Sequence, residues 1–277
     1  MPTSSSAENL PIAALRFEAE AVTALLTDLG GENWDTQTPA TGWTVRHQVA
    51  HLISVYRLAT KAATDPEGFR SLLAQLSGNF NRDVAASMEP LLAKNQVDLT
   101  ATWEHVAAEA VAALDALPGN RMLPWLVNDI PAAVLAMAGT TEAFAHGQDI
   151  RDTFGTLRTP SDHVRAICEF AYHTREFGWL GRGEQPPAEL GLRFELNSPS
   201  GQHWTIGNPE GADIVTGNAW DLALLVTRRR HPEDLALSGE TEPARRWMSV
   251  AQAYRGPAGE DRQPGQFADR ATVGGAP

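Results

Sequence analysis

Midway along the chain stands the stretch Glu142-Ala-Phe-Ala-His146-Gly-Gln-Asp149, inside an apolar pattern of helical period from about Pro131 to Arg151. Residues four apart stack on one face of a helix, so Glu142 and His146 can contact the same ion. The preceding turn of that face is apolar, which predicts that the pair points into a helix bundle, where charged groups need partners. A solvated helix face is the alternative, because Glu-x-x-x-His is by itself a weak signal.

A second helix offers a third ligand. It follows the stretch Gly42-Trp-Thr-Val-Arg-His47-Gln-Val-Ala-His51-Leu52, in which Thr44 is typical of an N-cap, and it is predicted to run to about Ala63. His51 falls about two turns into this helix on a half-apolar stripe, which favours an inward orientation. Because sites in helix bundles are built from inward residues on facing helices, His51 is the best candidate partner for the 142–146 pair. A core histidine hydrogen-bonded to a neighbour is the alternative.

The hydrophobic period divides the chain into two halves. The first half has apolar residues at spacings of three and four, which predicts helices over about 11–30, 44–63, 67–94, 100–117, 131–151 and 161–179. After residue 187 the period becomes two, and the order β-β-β-α-β-α is predicted. The fold class is therefore α+β: an up-and-down helix bundle over 11–183 and a small α+β domain over 184–257. Residues 1–10 are predicted to be disordered, and residues 258–277 to form a flexible Gly/Pro-rich tail.

The composition of the chain argues against several classes of function. The 277 residues carry a net charge of -12, which argues against binding to nucleic acid or to an anionic membrane surface. No apolar run reaches the roughly 18 residues of a membrane span, and the N-terminus does not resemble a signal peptide, so we expect a cytoplasmic protein. The single cysteine, Cys168, excludes an internal disulfide and a cysteine-based zinc cluster. It is interpreted as a small buried apolar residue and not as a nucleophile.

The two quoted stretches resemble segments of DinB-like helical bundles, "GW-T-V-x-x-x-x-A-H-L" and "E-x-x-x-H-G-x-D". The specific resemblance is to the mycothiol-dependent maleylpyruvate isomerase family of actinobacterial proteins, and it extends over about residues 10–257. It implies a metal-binding bundle followed by a domain similar to sterol carrier proteins. It also implies that His51, Glu142 and His146 are the three metal ligands, which agrees with the set reached from the residues.

The resemblance also implies a function. Three protein ligands leave a coordination position open, and a His/carboxylate set suits a divalent cation, zinc above all. The expected enzyme uses the low-molecular-weight thiol mycothiol as cosubstrate, for isomerisation or S-transfer on a small electrophilic substrate, and could act as a homodimer. Two alternatives stay open: a DinB-like enzyme of secondary metabolism with a thiol-independent reaction, and a non-enzymatic carrier of an apolar ligand.

Several positions depart from the family pattern. His47 stands where relatives commonly have Asp, a residue that with Thr44 would complete a capping box. His47 is interpreted as a fourth ligand, a catalytic proton shuttle or a surface residue. Phe144 replaces a second Trp. Gly139 and Thr140-Thr141 replace larger or basic side chains, and all these changes are expected to line the site and to alter its substrate.

Three consecutive arginines end the helix predicted over 219–230. One interpretation of Arg228, Arg229 and Arg230 is a solvated helix C-terminus, which the helix dipole favours. The other is that one of them, Arg229 in the first place, faces the metal cleft and acts in catalysis by holding a substrate carboxylate in a bidentate contact. A protein of net charge -12 needs such a local cation to attract an anionic substrate.

Overall fold

The computed structural model describes residues 9–257 and 259–268. By its internal contacts the chain divides into two compact units, Met1–Thr153 and Phe154–Pro277. This division comes earlier than the boundary predicted after residue 183. The reason is that the helix over Val164–His173 packs against the sheet and a helix of the second unit, although its sequence period resembles that of the bundle. Among the described helices, none combines the length and the hydropathy that crossing a bilayer requires.

The first unit is helical, as predicted. Its helices are α1 (Leu10–Thr27), α2 (Val45–Thr64), α3 (Pro66–Leu73), α4 (Phe80–Leu92), α5 (Gln96–Asp115) and α6 (Ala132–Phe154). The helical region predicted over 67–94 is divided between α3 and α4, because Asn79 caps a new helix by accepting a hydrogen bond from the backbone N–H of Arg82. Between α5 and α6, strands β1 (Met122–Leu123) and β2 (Ile130–Pro131) form a short antiparallel pair.

Helix α2 lies at the centre of this unit and packs against α3, α4 and α5. Its buried side chains include Val49, Ile53 and Tyr56, the last in edge-to-face contact with Trp103 of α5 at a ring-centroid distance of 5.0 Å. Where α6 meets α1 and α2, Gly139 makes a close approach possible. A Cβ at this position would come within 2.8 Å of the Leu15 side chain, and the Tyr56 hydroxyl donates to the Gly139 carbonyl at 3.1 Å. These contacts fix α2 and α6, the two helices that carry the candidate ligands.

The second unit contains a four-stranded mixed sheet. Its elements are α7 (Val164–His173), α8 (Phe177–Leu180), β3 (Leu192–Asn197), β4 (His203–Gly207), β5 (Asp213–Asn218), α9 (Ala219–Val226), β6 (Leu237–Gly239) and α10 (Glu242–Val250). The strand order is β4-β3-β5-β6, with β5 parallel to β3 and the other neighbours antiparallel. The α+β class and the predicted β-β-β-α-β-α order after residue 187 are confirmed. Alternate residues of β3 are buried, which is the period-two pattern of its sequence.

The stretch predicted to be a flexible tail makes specific contacts where it is described. Residues 259–268 contact the second unit: Asp261 pairs with the Arg228 guanidinium, and the Gly265 N–H donates to Asp234 at 2.8 Å. The Phe267 side chain is buried under the Arg230 guanidinium, 4.2 Å from its ring centroid. The flexibility that the Gly and Pro content indicates stays a prediction, and the Phe267 ring and the Asp261 ion pair are the contacts that would oppose it. Ala258 and residues 269–277 of the predicted tail, and residues 1–8 of the predicted disordered start, lie outside the described residues.

The burial of Phe267 gives a stability prediction. Phe267→Ala should lower the free energy of unfolding by about 2–3 kcal/mol, because the buried ring returns to water and leaves a void. Leu157→Ala is the matched control, since Leu157 is 47% exposed and should lose no more than about 0.5 kcal/mol. Chemical denaturation of the two variants provides the measurement. Equal stability of both would mean that residues 259–268 do not contribute to the native state.

Candidate metal centre

The structure brings His51, Glu142 and His146 together inside the first unit. His51 comes from α2, while Glu142 and His146 lie one turn apart on α6. The Glu142 Oε2 atom lies 3.3 Å from His51 Nε2 and 3.2 Å from His146 Nε2. One ligand atom from each residue falls within 4.8 Å of the others, and no other such group of three occurs among the described residues. The three side chains therefore meet, as predicted from the spacing on α6 and from the inward orientation of His51.

The donor atoms fit a small divalent cation. Ligands bonded at 2.0–2.1 Å in a tetrahedron are separated from each other by about 3.3 Å, close to both observed Nε2–Oε2 distances. Two imidazole nitrogens and one carboxylate oxygen form a donor set that zinc accepts, and three ligands leave a fourth position for another molecule. Metal binding by these residues stays a prediction, and the geometry is compatible with it.

Glu142 is held in its charged form. Burial alone would raise the pKa of Glu142, but hydrogen bonds with His146 and His51, together with the positive charge available on both rings, outweigh burial and hold its pKa well below the usual range. The carboxylate therefore stays ionised near neutral pH, as a metal ligand must. The side chain keeps 24% of its surface exposed, so the centre is accessible from outside.

Gln48 orients His146, a role that sequence reasoning missed. Gln48 is fully buried; its amide Oε1 accepts from His146 Nδ1, and its Nε2 donates to the Thr38 hydroxyl at 2.8 Å. Thr38 in turn donates to the carbonyl oxygen of Trp43 at 2.7 Å. Since the proton of His146 is engaged at Nδ1, its Nε2 presents a lone pair to the centre. A lone pair that faces a carboxylate oxygen at 3.2 Å suits a cation between them, either a proton or a metal ion.

A signal for Gln48 was present in the sequence. Gln48 precedes His51 by three positions, so both side chains share the inward face of α2. An uncharged polar residue on that face needs a buried partner, and a ligand histidine is a natural one. The Nδ1 atom of His51, by contrast, is buried without a hydrogen-bond partner among the described residues. The two histidines are therefore held differently, one by an amide relay and one by packing.

Trp43 covers the centre. The tight turn at Gly42, where φ is +78°, directs the chain back so that the Trp43 N–H donates to the Ala40 carbonyl at 2.9 Å. The indole stacks on the His146 ring at 5.7 Å between centroids and meets the edge of His51 at 5.2 Å. One aromatic side chain thus touches both imidazoles and shields them on one side from water.

His47 takes the capping role that the sequence interpretation assigned to an Asp at its position. Its Nδ1 atom accepts from the Thr44 N–H at 3.3 Å and lies 2.8 Å from the Thr44 hydroxyl, which completes a capping box at the start of α2. A histidine can complete this box because a neutral imidazole nitrogen accepts a hydrogen bond as a carboxylate oxygen does. His47 does not belong to the group of three ligands. Its catalytic role stays a prediction.

The other departures from the family pattern are accounted for by helix packing. Thr140 and Thr141 are buried, and their hydroxyls donate to the carbonyls of Ala136 and Met137 one turn earlier in α6. Phe144 is fully buried. The two threonine hydroxyls are therefore satisfied within α6, and the expectation that these positions line the site stays a prediction.

The three arginines lie in the second unit, just after α9. Arg228 has a φ of 59°, the left-handed conformation that usually requires Gly, and its side chain is only 8% exposed beside Asp261. The Arg229 guanidinium donates to the Thr227 carbonyl, and Arg230 covers Phe267. A simple solvated helix end is therefore wrong for Arg228 and Arg230. The prediction that Arg229 acts on a substrate at the metal centre concerns both units and stays a prediction.

Cys168 matches its interpretation. The thiol is fully buried in α7 and lies 3.5 Å from the Ala219 carbonyl. Burial raises the pKa of Cys168 far above that of a free thiol, so the thiolate required of a nucleophile is suppressed.

Comparison with known proteins relates this architecture to one family. The family model of the "Mycothiol maleylpyruvate isomerase N-terminal domain" matches residues 15–151. Two uncharacterised proteins of Mycobacterium tuberculosis, from strains CDC 1551 / Oshkosh and ATCC 25618 / H37Rv, are 36% identical over 251 residues, which cover 91% of this chain and 97% of theirs.

Solved structures give the same relationship at the level of the fold. The crystal structure of the mycothiol-dependent maleylpyruvate isomerase superposes with a TM-score of 0.55 at 14% identity, over 83% of this chain and 91% of that one. A histidine-to-alanine mutant of that enzyme superposes with a TM-score of 0.53 at 15% identity.

Fold and site together define a class: two-unit α+β proteins whose helical unit gathers two histidines and a glutamate from two helices. Within that class, this chain belongs to the mycothiol-dependent maleylpyruvate isomerase family.

Metal content tests the ligand set directly. The wild-type chain should retain about one zinc ion per chain, and His51→Ala, Glu142→Ala and His146→Ala should each weaken zinc binding more than about tenfold, because each removes one of three donors. Elemental analysis after dialysis measures this. His105→Ala is the control, since His105 pairs with Glu109 on an exposed face of α5 without a third donor. His47→Asn should have little effect. Full zinc content in all three ligand variants would place the metal site elsewhere.

Gln48 offers a separate prediction about orientation. Gln48→Leu should weaken zinc affinity by about 10- to 100-fold, because His146 loses the acceptor that fixes its ring and tautomer. A chelator competition titration measures the affinity, and circular dichroism checks the fold. Gln75→Leu, on an exposed residue of the same unit, should bind zinc as the wild type does. Unchanged affinity in a folded Gln48→Leu protein would contradict the orienting role.

Proposed function

We propose that this protein is a divalent-metal-dependent enzyme that activates a low-molecular-weight thiol, mycothiol, for reaction with a small electrophilic substrate. The observation that carries the proposal is the convergence of His51, Glu142 and His146 on one point, with Trp43 packed over the rings. Membership of the family supports mycothiol as the thiol, and the name of the solved relatives suggests maleylpyruvate isomerisation as one reaction.

The three ligands leave room for a thiol. When bound here, a divalent cation would supply a position at which a thiol loses its proton near neutral pH. Glu142 contributes the negative charge that keeps the cation in place, and Gln48 holds the Nε2 lone pair of His146 in the required direction. Trp43 restricts water on one side, which strengthens each electrostatic interaction beneath it. The chain's own residues therefore provide binding, orientation and partial exclusion of water.

The thiol can then act in two ways. In isomerisation the thiolate adds to a carbon–carbon double bond, the resulting single bond rotates, and the thiolate leaves again, so that no thiol is consumed. In S-transfer the thiolate forms a lasting carbon–sulfur bond and displaces a leaving group or adds to the substrate. The same centre serves both, and the substrate decides between them.

His47 is better suited to positioning than to proton transfer. Its Nδ1 already accepts the Thr44 N–H, so a neutral ring carries its proton on Nε2. A second proton at Nδ1 would displace the hydrogen bond from the Thr44 N–H. We therefore assign it to the start of α2, the helix that holds Gln48 and His51.

The proposed reaction is tested by measuring thiol and product together. Zinc-loaded protein is incubated with mycothiol and either maleylpyruvate or chlorodinitrobenzene, an electrophile with a leaving group. Isomerisation should yield the trans product with constant thiol, whereas S-transfer should consume one thiol for each product. The rate with either substrate should fall more than about tenfold in Glu142→Gln, which keeps the shape of the side chain and loses its charge.

Two controls make the outcome decisive. His105→Ala should retain the full rate, because its imidazole lies on an exposed face of α5. Omission of mycothiol should abolish the reaction. A metal-dependent rate that does not change when the thiol is omitted would reject the thiol chemistry and favour a thiol-independent reaction.

A further inference from the structure

An open groove lies between the start of α2 and the exposed face of α4. Trp43 and His47 line one side. The other side is formed by Arg82, Ala85, Ala86 and Glu89, which recur at the spacing of one helix face. We refer to it as the α2–α4 groove. The Ser54 hydroxyl, which donates to the Ser87 carbonyl at 3.2 Å, links the two helices below it.

The α2–α4 groove shares a wall with the metal centre. Trp43 lines the groove and also stacks on His146 and touches His51. His47 stands one turn before His51 on the same helix. A molecule in the groove therefore contacts the same indole that covers the candidate ligands, and all these residues belong to the first unit.

The floor of the groove is apolar and its charges stand at the ends. Alanines occupy the middle of the α4 face, where longer side chains would fill the space, and the buried Met88 lies behind them. Arg82 and Glu89 are seven positions apart, which is about 10 Å along a helix axis. Such a surface suits a molecule with a hydrocarbon body and one charged end.

The Arg82 guanidinium is available for a ligand. It forms no hydrogen bond or ion pair with the described residues, whereas Arg46 pairs with Asp35 and Arg70 pairs with Glu67 and Asp129 in the same unit. Its neighbour Asp83 is engaged by the backbone N–H of Ser77. In a chain of net charge -12, an unpaired arginine at the end of an apolar groove provides the local attraction that an anion needs.

We propose that the α2–α4 groove is the binding site for the body of an amphipathic carboxylate, with Arg82 as the residue that recognises the carboxylate. Binding in the groove does not rest on the proposed function. Arg82 is a specificity-determining residue: it selects an anionic end, while the alanines and Trp43 select an extended apolar body. The proposal places the anion contact in the same unit as the metal centre.

Binding is tested with three soluble probes that share a phenylbutyl body and differ in their end group: phenylbutyrate, phenylbutanol and phenylbutylamine. Isothermal titration of the full-length protein, with a chelator present, measures their affinities without thiol chemistry or metal. The carboxylate should bind more tightly than the alcohol and the amine. Arg82→Gln should weaken phenylbutyrate binding about tenfold and leave phenylbutanol unchanged, because one charge-assisted contact is lost. Arg57→Gln, at another exposed arginine of this unit, should change neither.

Two further variants locate the site. Ala86→Phe should weaken all three probes, since the ring occupies the floor of the groove. Glu142→Gln should bind phenylbutyrate as the wild type does, so that loss of thiol activity in this variant with intact probe binding separates the two proposals. Equal effects of Arg82→Gln and Arg57→Gln, or equal affinity for the carboxylate and the alcohol, would overturn the role of Arg82. Loss of phenylbutyrate binding in Glu142→Gln but not in Arg82→Gln would move the carboxylate to the metal centre.

Discussion

One constraint organises the first unit: a carboxylate is held between two imidazoles in a partly buried position. Glu142 stays charged there because both histidines reach the same oxygen, and an ionised carboxylate away from water needs such partners. To place His51 opposite Glu142, side chains of α2 and α6 must meet. Gly139 and Tyr56 provide that contact one turn below the centre, where the tyrosine hydroxyl bonds the backbone of α6. Burial and the nearby carboxylates Glu18 and Glu142 raise the pKa of Tyr56 well above its usual value, so this hydroxyl stays a donor.

Around that constraint, the loop before α2 does two things with few residues. Thr38 fixes the Trp43 carbonyl and supports the amide that orients His146, while Trp43 covers the rings from above. The helix begins where Thr44 and His47 cap each other. One short segment therefore provides the helix cap, the indole that covers the rings and the hydrogen bonds that orient His146. A change in this segment affects both the start of α2 and the direction in which a ligand histidine points.

Much of the candidate site could be predicted from the sequence, because the helical period shows which residues share one face of a helix. Glu142 and His146 share a face by spacing alone, and the inward stripe of α2 selected His51. Period two after residue 187 predicted the strands, and the predicted sequence of elements, β-β-β-α-β-α, is the one observed. The sequence patterns could not predict contacts that depend on one particular side chain. Phe267 and Asp261 hold a Gly/Pro-rich segment whose composition indicates flexibility, and α7 joins the second unit although its period resembles that of the bundle. Gln48 has no charge to mark it, so its function appears only when its partner is seen.

The distance along the chain between the two ligand helices bears on how the protein folds. His51 and Glu142 are 91 residues apart, so their meeting requires a large loop to close, whereas Glu142 and His146 adjoin on a single helix. In the unfolded chain a metal ion would find at most the local pair, a weak two-donor site. The complete set exists only once α2 has docked against α6. A bound ion would therefore favour the assembled state by mass action, and the concentration of free metal in the cell would influence how much of the chain is folded.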